Sequence, residues 1–361
     1  MINTKETDDN VIIRLKNITK KFGDFYAVSN VNIEIKKGEI VGFLGPNGAG
    51  KSTAMKMMAY LLKPTEGEIW IRGNGELEKL ANHNKDYLLD NIGFLIENPF
   101  FYGNVTPRVI LKYFAELKGY PYKKVNQRIE EVVEMFGLTN WIDMKLRTFS
   151  KGMKQKIGIA SAIIHNPDII ILDEPQTGLD PQARRDVRDL ILKLKKSGKT
   201  IFLSSHLLYE ISEVADRIAI INQGKIVAFD TLDNLESKAK KSIIHIELLN
   251  HPEEHNLESV LNHLKEEITP LTGVSEELNW IKYNKDTKTF QILFNGDPKN
   301  QLSILKRLLA HDYEVIEFSV PKAGLLENLF IDLVKPNTDQ LSNDTINKKK
   351  KKHKKKLLIE E

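Results

Sequence analysis

The sequence has no cysteine and no long hydrophobic run, and each absence excludes a class of protein. Without cysteine among its 361 residues, the chain can form no disulfide bond, thiol nucleophile or cysteine-ligated zinc site. The longest unbroken apolar run, Met57 to Leu62, has six residues, whereas a membrane-spanning helix needs about 20. The first residues, MINTKETDDN, lack the pattern of a secretory signal. We therefore expect a protein of the reducing cytosol that does not cross a membrane alone.

Outside the C-terminal tail, neither positive nor negative charge is in marked excess. The formal net charge is +4, but residues 348–361 carry eight lysines and two glutamates, so the remaining 347 residues sum to −2. A nearly neutral body gives no reason to expect a nucleic-acid surface on the folded part. For the lysine tail three interpretations stay open: solvated disorder, attraction to anionic lipid, and non-specific RNA binding.

Short β-rich runs alternate with amphipathic helical runs and divide the chain into three regions. Residues 1–235 have the pattern of an α/β domain and residues 236–334 that of a small α+β unit, while residues 335–361 lack periodicity and are expected to be disordered. In the first region, apolar runs without alternation predict strands of a mostly parallel sheet that is covered on both faces. These strands are predicted at Ile40–Leu44, Ile92–Leu95, Ile169–Leu172, Thr200–Ser204 and Arg217–Asn222.

Other segments predict antiparallel sheets. Near the N-terminus, VIIRLKNI and VNIEIKKG alternate apolar and polar residues, which favours antiparallel strands with one face in water. In the second region a ferredoxin-like order, β-α-β-β-α-β, is predicted for segments 242–249, 257–267, 278–284, 288–294, 299–311 and 314–320. A last helix is expected at about 324–334.

The strongest local motif fits G-x-x-x-x-G-K-[ST] between the predicted strand IVGFL and the predicted helix STAMKMMAYLL. Glycines let the backbone wrap closely around phosphates, and the helix N-terminus adds partial positive charge. Lys51 is expected to reach the β- and γ-phosphates of a nucleotide, and Ser52 to bind Mg²⁺. A glycine-rich structural turn is the alternative. The expected nucleotide-binding residues here are Gly45, Pro46, Asn47, Gly48, Ala49, Gly50, Lys51, Ser52 and Thr53.

A second motif places two carboxylates at the end of an apolar strand, where IIIL is followed by Asp173 and Glu174. Open α/β sheets bind ligands at the carboxyl ends of their strands. Asp173 is expected to hold Mg²⁺ through water, and Glu174 to orient or deprotonate an attacking water. A solvated acidic strand end is the alternative interpretation.

With these motifs in place, the segment FSKGMKQ, residues 149–155, resembles the LSGGQ signature of the ATP-binding-cassette superfamily and retains Ser150 and Gly152. The resemblance implies that these two residues contact the γ-phosphate of ATP held by a second protomer. A helix N-terminus after Ser150 would supply hydrogen-bond donors. An ordinary capped helix start is the alternative.

Three more positions match this family. The segment GLDP, which contains Asp180, resembles the D-loop that crosses the dimer interface. His206, in FLSSHLL, resembles the switch histidine that contacts the γ-phosphate, although a lone histidine at a strand end is usually structural. Phe22, beside Gly23, resembles the aromatic residue that stacks on adenine, and a core phenylalanine is the alternative.

Glu97 departs from the family pattern, because most members have glutamine at this place, close to Mg²⁺ and the γ-phosphate. The segment IGFLIENPFFYGNVT resembles bacitracin-resistance and lantibiotic-immunity transporters, in which glutamate is common here. The resemblance thus implies a nucleotide and metal contact for Glu97 and favours a peptide antibiotic or another amphiphile as cargo. A neutral exchange between similar side chains stays open.

The resemblance covers residues 10 to about 230 and has clear structural and functional implications. The fold implied is an α/β P-loop NTPase core with an antiparallel β subdomain and a helical subdomain, which binds ATP and Mg²⁺. Two cassettes would pair around two ATP molecules, with Lys51, Glu174 and His206 in hydrolysis. Their closure would drive integral-membrane permease subunits in export, from the cytoplasmic face of the membrane. The C-terminal unit resembles the extension of export-type cassettes, which stabilises or regulates the dimer, and a spacer is the alternative.

Aromatic residues are concentrated between residues 100 and 122. Some could form a groove for a cytoplasmic helix of the permease, and others the core of the helical subdomain, and both interpretations can hold for different residues. The cluster consists of Phe100, Phe101, Tyr102, Tyr113, Phe114, Tyr120 and Tyr122.

A soluble cassette ATPase that acts on the ribosome or nucleic acid is the main alternative function. Repair and chromosome ATPases carry long coiled-coil inserts between phosphate loop and signature, whereas Lys51 and Ser150 are only 99 residues apart. Translation-factor cassettes usually come in pairs within one chain, and this chain has one phosphate loop. The hypothesis of a module that only binds nucleotide conflicts with the presence of Asp173, Glu174 and His206. We therefore expect no specific nucleic-acid partner.

Overall fold

The computed structural model describes residues 10–97, 99–238, 242–250, 254–272, 280–284 and 288–320. The predicted helix at 324–334 and the lysine tail lie outside the described residues. Within these ranges, no helix combines the length and the apolar character needed to cross a bilayer.

In chain order, the first region forms β1 (Val11–Phe22), β2 (Phe25–Lys36), β3 (Ile40–Leu44), α1 (Lys51–Met58), β4 (Glu66–Gly73), β5 (Glu76–Lys79), α2 (Lys85–Asp90), β6 (Ile92–Leu95), α3 (Pro107–Leu117), α4 (Val125–Met135), α5 (Lys151–Ile163), β7 (Ile169–Leu172), α6 (Pro181–Lys196), β8 (Thr200–Ser205), α7 (Leu208–Ser212), β9 (Arg217–Asn222), β10 (Lys225–Thr231) and α8 (Leu232–Lys238).

A central sheet has the strand order β10-β9-β3-β8-β7-β6. All its pairings are parallel except that of β10 with β9, so the predicted mostly parallel sheet is confirmed. Every residue of β3 is buried because the sheet is covered on both faces: Ile40 and Leu44 pack into one hydrophobic cluster, and Val41 and Phe43 into another. This two-sided burial explains the uninterrupted apolar runs.

A second sheet, antiparallel, has the order β2-β1-β4-β5 and confirms the predicted antiparallel strands. From Val31 to Lys36 of β2 buried and exposed residues alternate, as expected for a strand with one face in water. For β1 the expectation of simple alternation is wrong, since Val11, Ile12 and Ile13 are all buried. The register of β1 against β2 shifts between Val11 and Ile13, and such an irregularity lets successive side chains reach the core.

The C-terminal unit forms β11 (Ser242–Leu248), α9 (Glu254–Thr272), β12 (Ile281–Asn284), β13 (Thr289–Phe294), α10 (Pro298–Ala310) and β14 (Val315–Ser319). Its antiparallel sheet has the order β12-β13-β11-β14, which is the predicted ferredoxin-like arrangement. Helix α9 continues through Pro270, beyond its predicted end at 267, because Ile268 is buried in the core of the unit.

Candidate nucleotide site

The phosphate-loop motif forms the connection between β3 and α1, as its sequence predicts, although α1 ends at Met58 and not at the predicted Leu62. At Gly45 a Cβ atom would lie 2.4 Å from the carbonyl oxygen of Ile221, and at Gly50 it would lie 2.3 Å from that of Ala27. Gly50 also caps α1 with a φ of 108°, a left-handed conformation that side chains disfavour. These two glycines are therefore required by the fold of the loop, and the contacts of the loop with nucleotide stay a prediction.

Lys51 is the first residue of α1 and only 5% exposed. Its ammonium donates to the carbonyl oxygens of Gly45 at 2.7 Å and Pro46 at 3.1 Å, and lies 3.2 Å from Oε1 of Glu174. The first N–H groups of a helix have no acceptor within the helix. A buried cation beside such donors fits a phosphate group, so these residues suit the triphosphate of ATP.

Asp173 and Glu174 follow β7 at the carboxyl end of the central sheet. Asp173 is buried, and its Oδ1 accepts a hydrogen bond of 2.6 Å from the hydroxyl of Ser204, at the end of β8. The same hydroxyl accepts the backbone N–H of Glu174 at 2.9 Å. Carboxylate and hydroxyl oxygens are the ligands that Mg²⁺ prefers, so Asp173 and Ser52 have the donor chemistry this ion needs.

The Glu174 side chain is held from three sides. Its Oε2 accepts a hydrogen bond of 2.8 Å from the hydroxyl of Thr177 and lies 3.2 Å from Nδ1 of His206, while Oε1 faces Lys51. Its backbone has a φ of 45°, which is rare and strained for a residue with a side chain. Burial raises the pKa of Glu174, but the Thr177 hydrogen bond and the charge of Lys51 outweigh it, so the pKa is lowered and the group is ionised at neutral pH.

Sequence reasoning missed two residues of this cluster, Thr177 and Ser204. Thr177 bonds Glu174 three residues before it, in a turn that the motif does not record, and the partner of Ser204 depends on how β7 and β8 align. The signal that could have found Ser204 is a polar residue at the end of the otherwise apolar run TIFLSS. The pairing of β7 with β8 is parallel, which brings this residue beside Asp173.

The signature segment and the D-loop segment form two adjacent helix starts. Ser150 caps α5, and its hydroxyl accepts the N–H of Met153 at 3.2 Å. Asp180 caps α6, and its carboxylate accepts the N–H of Ala183 at 2.9 Å. At Gly152 a Cβ atom would lie 2.8 Å from the Cβ of Ala183, so the two helices meet closely. The helix start predicted after Ser150 is thus present, while the contact of Ser150 and Gly152 with a second protomer stays a prediction.

Phe22 and Glu97 lie on the surface. Phe22 ends β1 opposite Phe25 and is 50% exposed, so the alternative of a core phenylalanine is wrong. Its stacking on adenine stays a prediction. Glu97 has a φ of 66°, and its Oε1 pairs with the ammonium of Lys56 at 2.5 Å, a partner that the sequence did not predict. A contact of Glu97 with metal or nucleotide also stays a prediction.

The aromatic cluster divides between core and surface, as both interpretations allowed. Phe101, Phe114 and Tyr120 pack against the main hydrophobic cluster, whereas Phe100 is 92% exposed. Next to Phe100 lies a groove of about 340 Å³, lined by residues that include Phe94, Leu117 and His165. The further exposed members of the cluster are Tyr102, Tyr113 and Tyr122.

His165 brings a polar group into this apolar groove. Neither ring nitrogen has a well-formed hydrogen bond within the described part of the chain. Burial lowers the pKa of His165 to about 4, so the ring is neutral at physiological pH.

Comparison with known proteins agrees with this architecture. Residues 28–177 match the family model of the ABC transporter. The uncharacterized ABC transporter ATP-binding protein YcbN of Bacillus subtilis is 38% identical over 329 residues, which cover 91% of this chain and 98% of that protein. The bacitracin transport ATP-binding protein BcrA of Bacillus licheniformis is 41% identical over 231 residues, which cover 64% of this chain and 73% of the relative.

Solved structures of similar fold are ATP-binding cassettes. One, an ATP-binding subunit of an ABC transporter, has a TM-score of 0.56 at 30% identity over 63% of this chain and 92% of the other. Another, the dimeric post-hydrolysis cassette MJ0796 bound to ADP and Pi, has a TM-score of 0.55 at 29% identity over 61% of this chain and 98% of the other. The chain therefore belongs to the ATP-binding proteins of ABC transporters and is an ATP hydrolase with the P-loop cassette fold of that family.

Proposed function

We propose that this chain is the ATP-hydrolysing subunit of an export complex, which pairs with a second copy and drives separate permease subunits at the cytoplasmic face of the membrane. The observation that carries the proposal is the cluster of Lys51, Glu174 and His206, which unites three motifs of a hydrolytic cassette at one edge of the central sheet. A module that only binds nucleotide has no need of an ionised carboxylate held in this way.

In the proposed reaction, catalysis is positioning combined with electrostatics. Lys51 and the N–H groups at the start of α1 bind the phosphates. Ser52 and Asp173 would hold Mg²⁺, which neutralises phosphate charge when bound. Glu174 orients a water molecule and accepts its proton, and Thr177 fixes the carboxylate for this role. His206, whose Nδ1 lies 3.2 Å from Oε2 of Glu174, would contact the γ-phosphate beside this carboxylate.

Pairing of two cassettes is proposed to complete each site. Ser150 and Asp180 cap the neighbouring N-termini of α5 and α6, and helix N-termini favour anions. The dimeric state of the cassette MJ0796 supports such a pairing. Phe22, exposed at the end of β1, would stack on the adenine of the nucleotide.

The partner in the membrane is proposed to dock at the aromatic groove. Phe100 and Leu117 expose apolar surface around it, which suits the apolar face of a short cytoplasmic helix. The bacitracin transport relative favours a peptide antibiotic or another amphiphile as the cargo. Contact of the lysine tail with anionic lipid stays a prediction, because the tail lies outside the described residues.

The proposal is tested by expressing the chain with a multi-span permease that lacks its own cassette and measuring resistance to peptide antibiotics. Wild-type protein should confer resistance, and Lys51→Ala should abolish it. Phe100→Ser should abolish resistance and permease binding but keep basal ATP hydrolysis, whereas Leu61→Ser, a matched change of an exposed apolar residue elsewhere, should change neither. Hydrolysis that proceeds without any effect on resistance, together with ribosome binding, would favour the soluble alternative.

A further inference from the structure

We propose that the C-terminal unit carries a binding site for a divalent transition metal, with Zn²⁺ as the expected ion, formed by His263, Glu267 and His311. The three residues offer one ligand atom each, and these atoms all lie within 4.8 Å of one another. His263 and Glu267 stand four residues apart on α9 and so share a face of that helix. His311 follows the last residue of α10.

The spacing of the ligand atoms suits one small ion. Nε2 of His311 lies 3.0 Å from Oε2 of Glu267. Two ligands on one tetrahedral Zn²⁺, with bonds of about 2.0–2.1 Å, stand roughly 3.3 Å apart. Only a small movement would therefore admit the ion between these two groups. His263 is exposed, whereas Glu267 and His311 are partly buried, so the site is open to solvent on the side of His263.

A hydrogen bond already orients the first ligand. Nδ1 of His263 lies 2.7 Å from the hydroxyl of Tyr313, which leaves Nε2 of the ring for the metal. Metal-binding histidines nearly always have their second nitrogen held by such a partner. Tyr313 thus positions the ring of His263 for metal binding.

The donor set selects the kind of ion. Two imidazoles and one carboxylate, with water as a fourth ligand, are a common zinc set, while Mg²⁺ and Ca²⁺ prefer oxygen ligands alone. The Mg²⁺ expected at the nucleotide site would therefore not compete here.

The effect of removing Arg307 distinguishes a metal site from a cluster of ion pairs alone. Its guanidinium donates to Oε2 of Glu267, with Nη2 at 2.6 Å and Nε at 2.8 Å. This cation competes with a metal for the same oxygen. If the cluster binds metal, removal of Arg307 should strengthen binding.

The test is titration of the full-length protein, without nucleotide, with Zn²⁺ by calorimetry and with Co²⁺ by visible absorption. We expect one ion per chain and an intense Co²⁺ spectrum of tetrahedral type. His263→Asn, Glu267→Gln and His311→Asn should each weaken binding more than tenfold, Tyr313→Phe about tenfold, and Arg307→Ala should tighten it.

Two controls complete the titration, and circular dichroism confirms that each variant is folded. His83→Asn alters an exposed histidine of the cassette and should leave binding unchanged. His206→Ala removes the histidine beside Glu174 and should also leave it unchanged. Unaltered affinity and stoichiometry in folded His263→Asn and His311→Asn, or loss of binding in His206→Ala alone, would overturn the proposal.

Discussion

The ammonium of Lys51 lies 3.2 Å from the carboxylate of Glu174, which joins the phosphate loop to the end of β7 by an ion pair. Lys51 is buried, and Glu174 is about a quarter exposed. Each group therefore compensates part of the charge of the other. A phosphate that enters the loop offers Lys51 a second anionic partner, so nucleotide binding and the position of Glu174 are coupled.

Lys51→Met should abolish tight ATP binding and lower the free energy of unfolding by roughly 1–3 kcal/mol, because a partly buried carboxylate loses its partner. The double variant Lys51→Met/Glu174→Gln should regain stability without regaining ATP binding. Urea unfolding and binding of a fluorescent ATP analogue measure the two effects. Equal stability of Lys51→Met and wild-type protein would show that the ion pair does not contribute to the free energy of unfolding.

Gly152→Ala should impair ATP hydrolysis, because its Cβ would lie 2.8 Å from the Cβ of Ala183 and force α5 and α6 apart. Overpacking of this kind costs about 1–3 kcal/mol. Adding Ala183→Gly removes the opposing methyl group and should restore most of the lost stability and activity. Thermal unfolding measures stability, and steady-state ATPase rates measure activity. If the double variant is no more stable and no more active than Gly152→Ala, the contact with Ala183 is not the cause of the defect.

His165 should make stability depend on pH. The pKa of a freely solvated histidine is 6.5, whereas the pKa of His165 in the folded protein is about 4, so below pH 6.5 the unfolded chain binds a proton that the folded chain does not. The contribution of His165 to stability is therefore complete above pH 6.5 and declines toward pH 4, by about 3 kcal/mol at 1.36 kcal/mol per pKa unit.

His165→Leu should remove this part of the pH dependence, and His83→Leu, at an exposed site, should not. Urea unfolding at pH 7 and pH 5 gives the comparison. The same slope in His165→Leu and wild-type protein would contradict the burial of a neutral ring at this position.

Glu97→Gln should change the coupling between hydrolysis and transport more than ATP affinity. The carboxylate is largely exposed and pairs with Lys56, and exposed ion pairs contribute only about 0–1 kcal/mol to stability. Stability and nucleotide affinity should thus stay close to wild type, while ATP hydrolysis in the presence of permease should change. Lys56→Met serves as the control for loss of the ion pair alone. Identical peptide resistance in wild type and Glu97→Gln would show that the glutamate has no role in coupling.

Uninterrupted apolar runs predicted the central strands well, since only side chains buried on both faces give such runs. Ile169–Leu172 was placed without error, and the strand predicted at Thr200–Ser204 ends one residue later. The approach of Glu174 to Lys51 was predictable too, because parallel strands carry their carboxyl ends to one edge.

The side-chain contacts of other polar residues were not predictable, because they depend on the conformation of loops and on how elements pack. Thr177 reaches Glu174, and Lys56 reaches Glu97, through side-chain geometry that no motif records. His263 and His311 illustrate the same limit at longer range, since α9 and α10 bring together residues that are 48 positions apart in the sequence.

The most direct test of the account is the mass of the Glu174→Gln protein in solution, measured by light scattering with and without ATP. Because this change removes the proton acceptor and keeps the binding residues, ATP should convert monomers to a stable dimer with little turnover, while ADP should not. Glu213→Gln, which alters an exposed carboxylate paired with Arg188, should hydrolyse ATP like wild type. A Glu174→Gln protein that stays monomeric with ATP bound, or that hydrolyses ATP at the wild-type rate, would contradict the account.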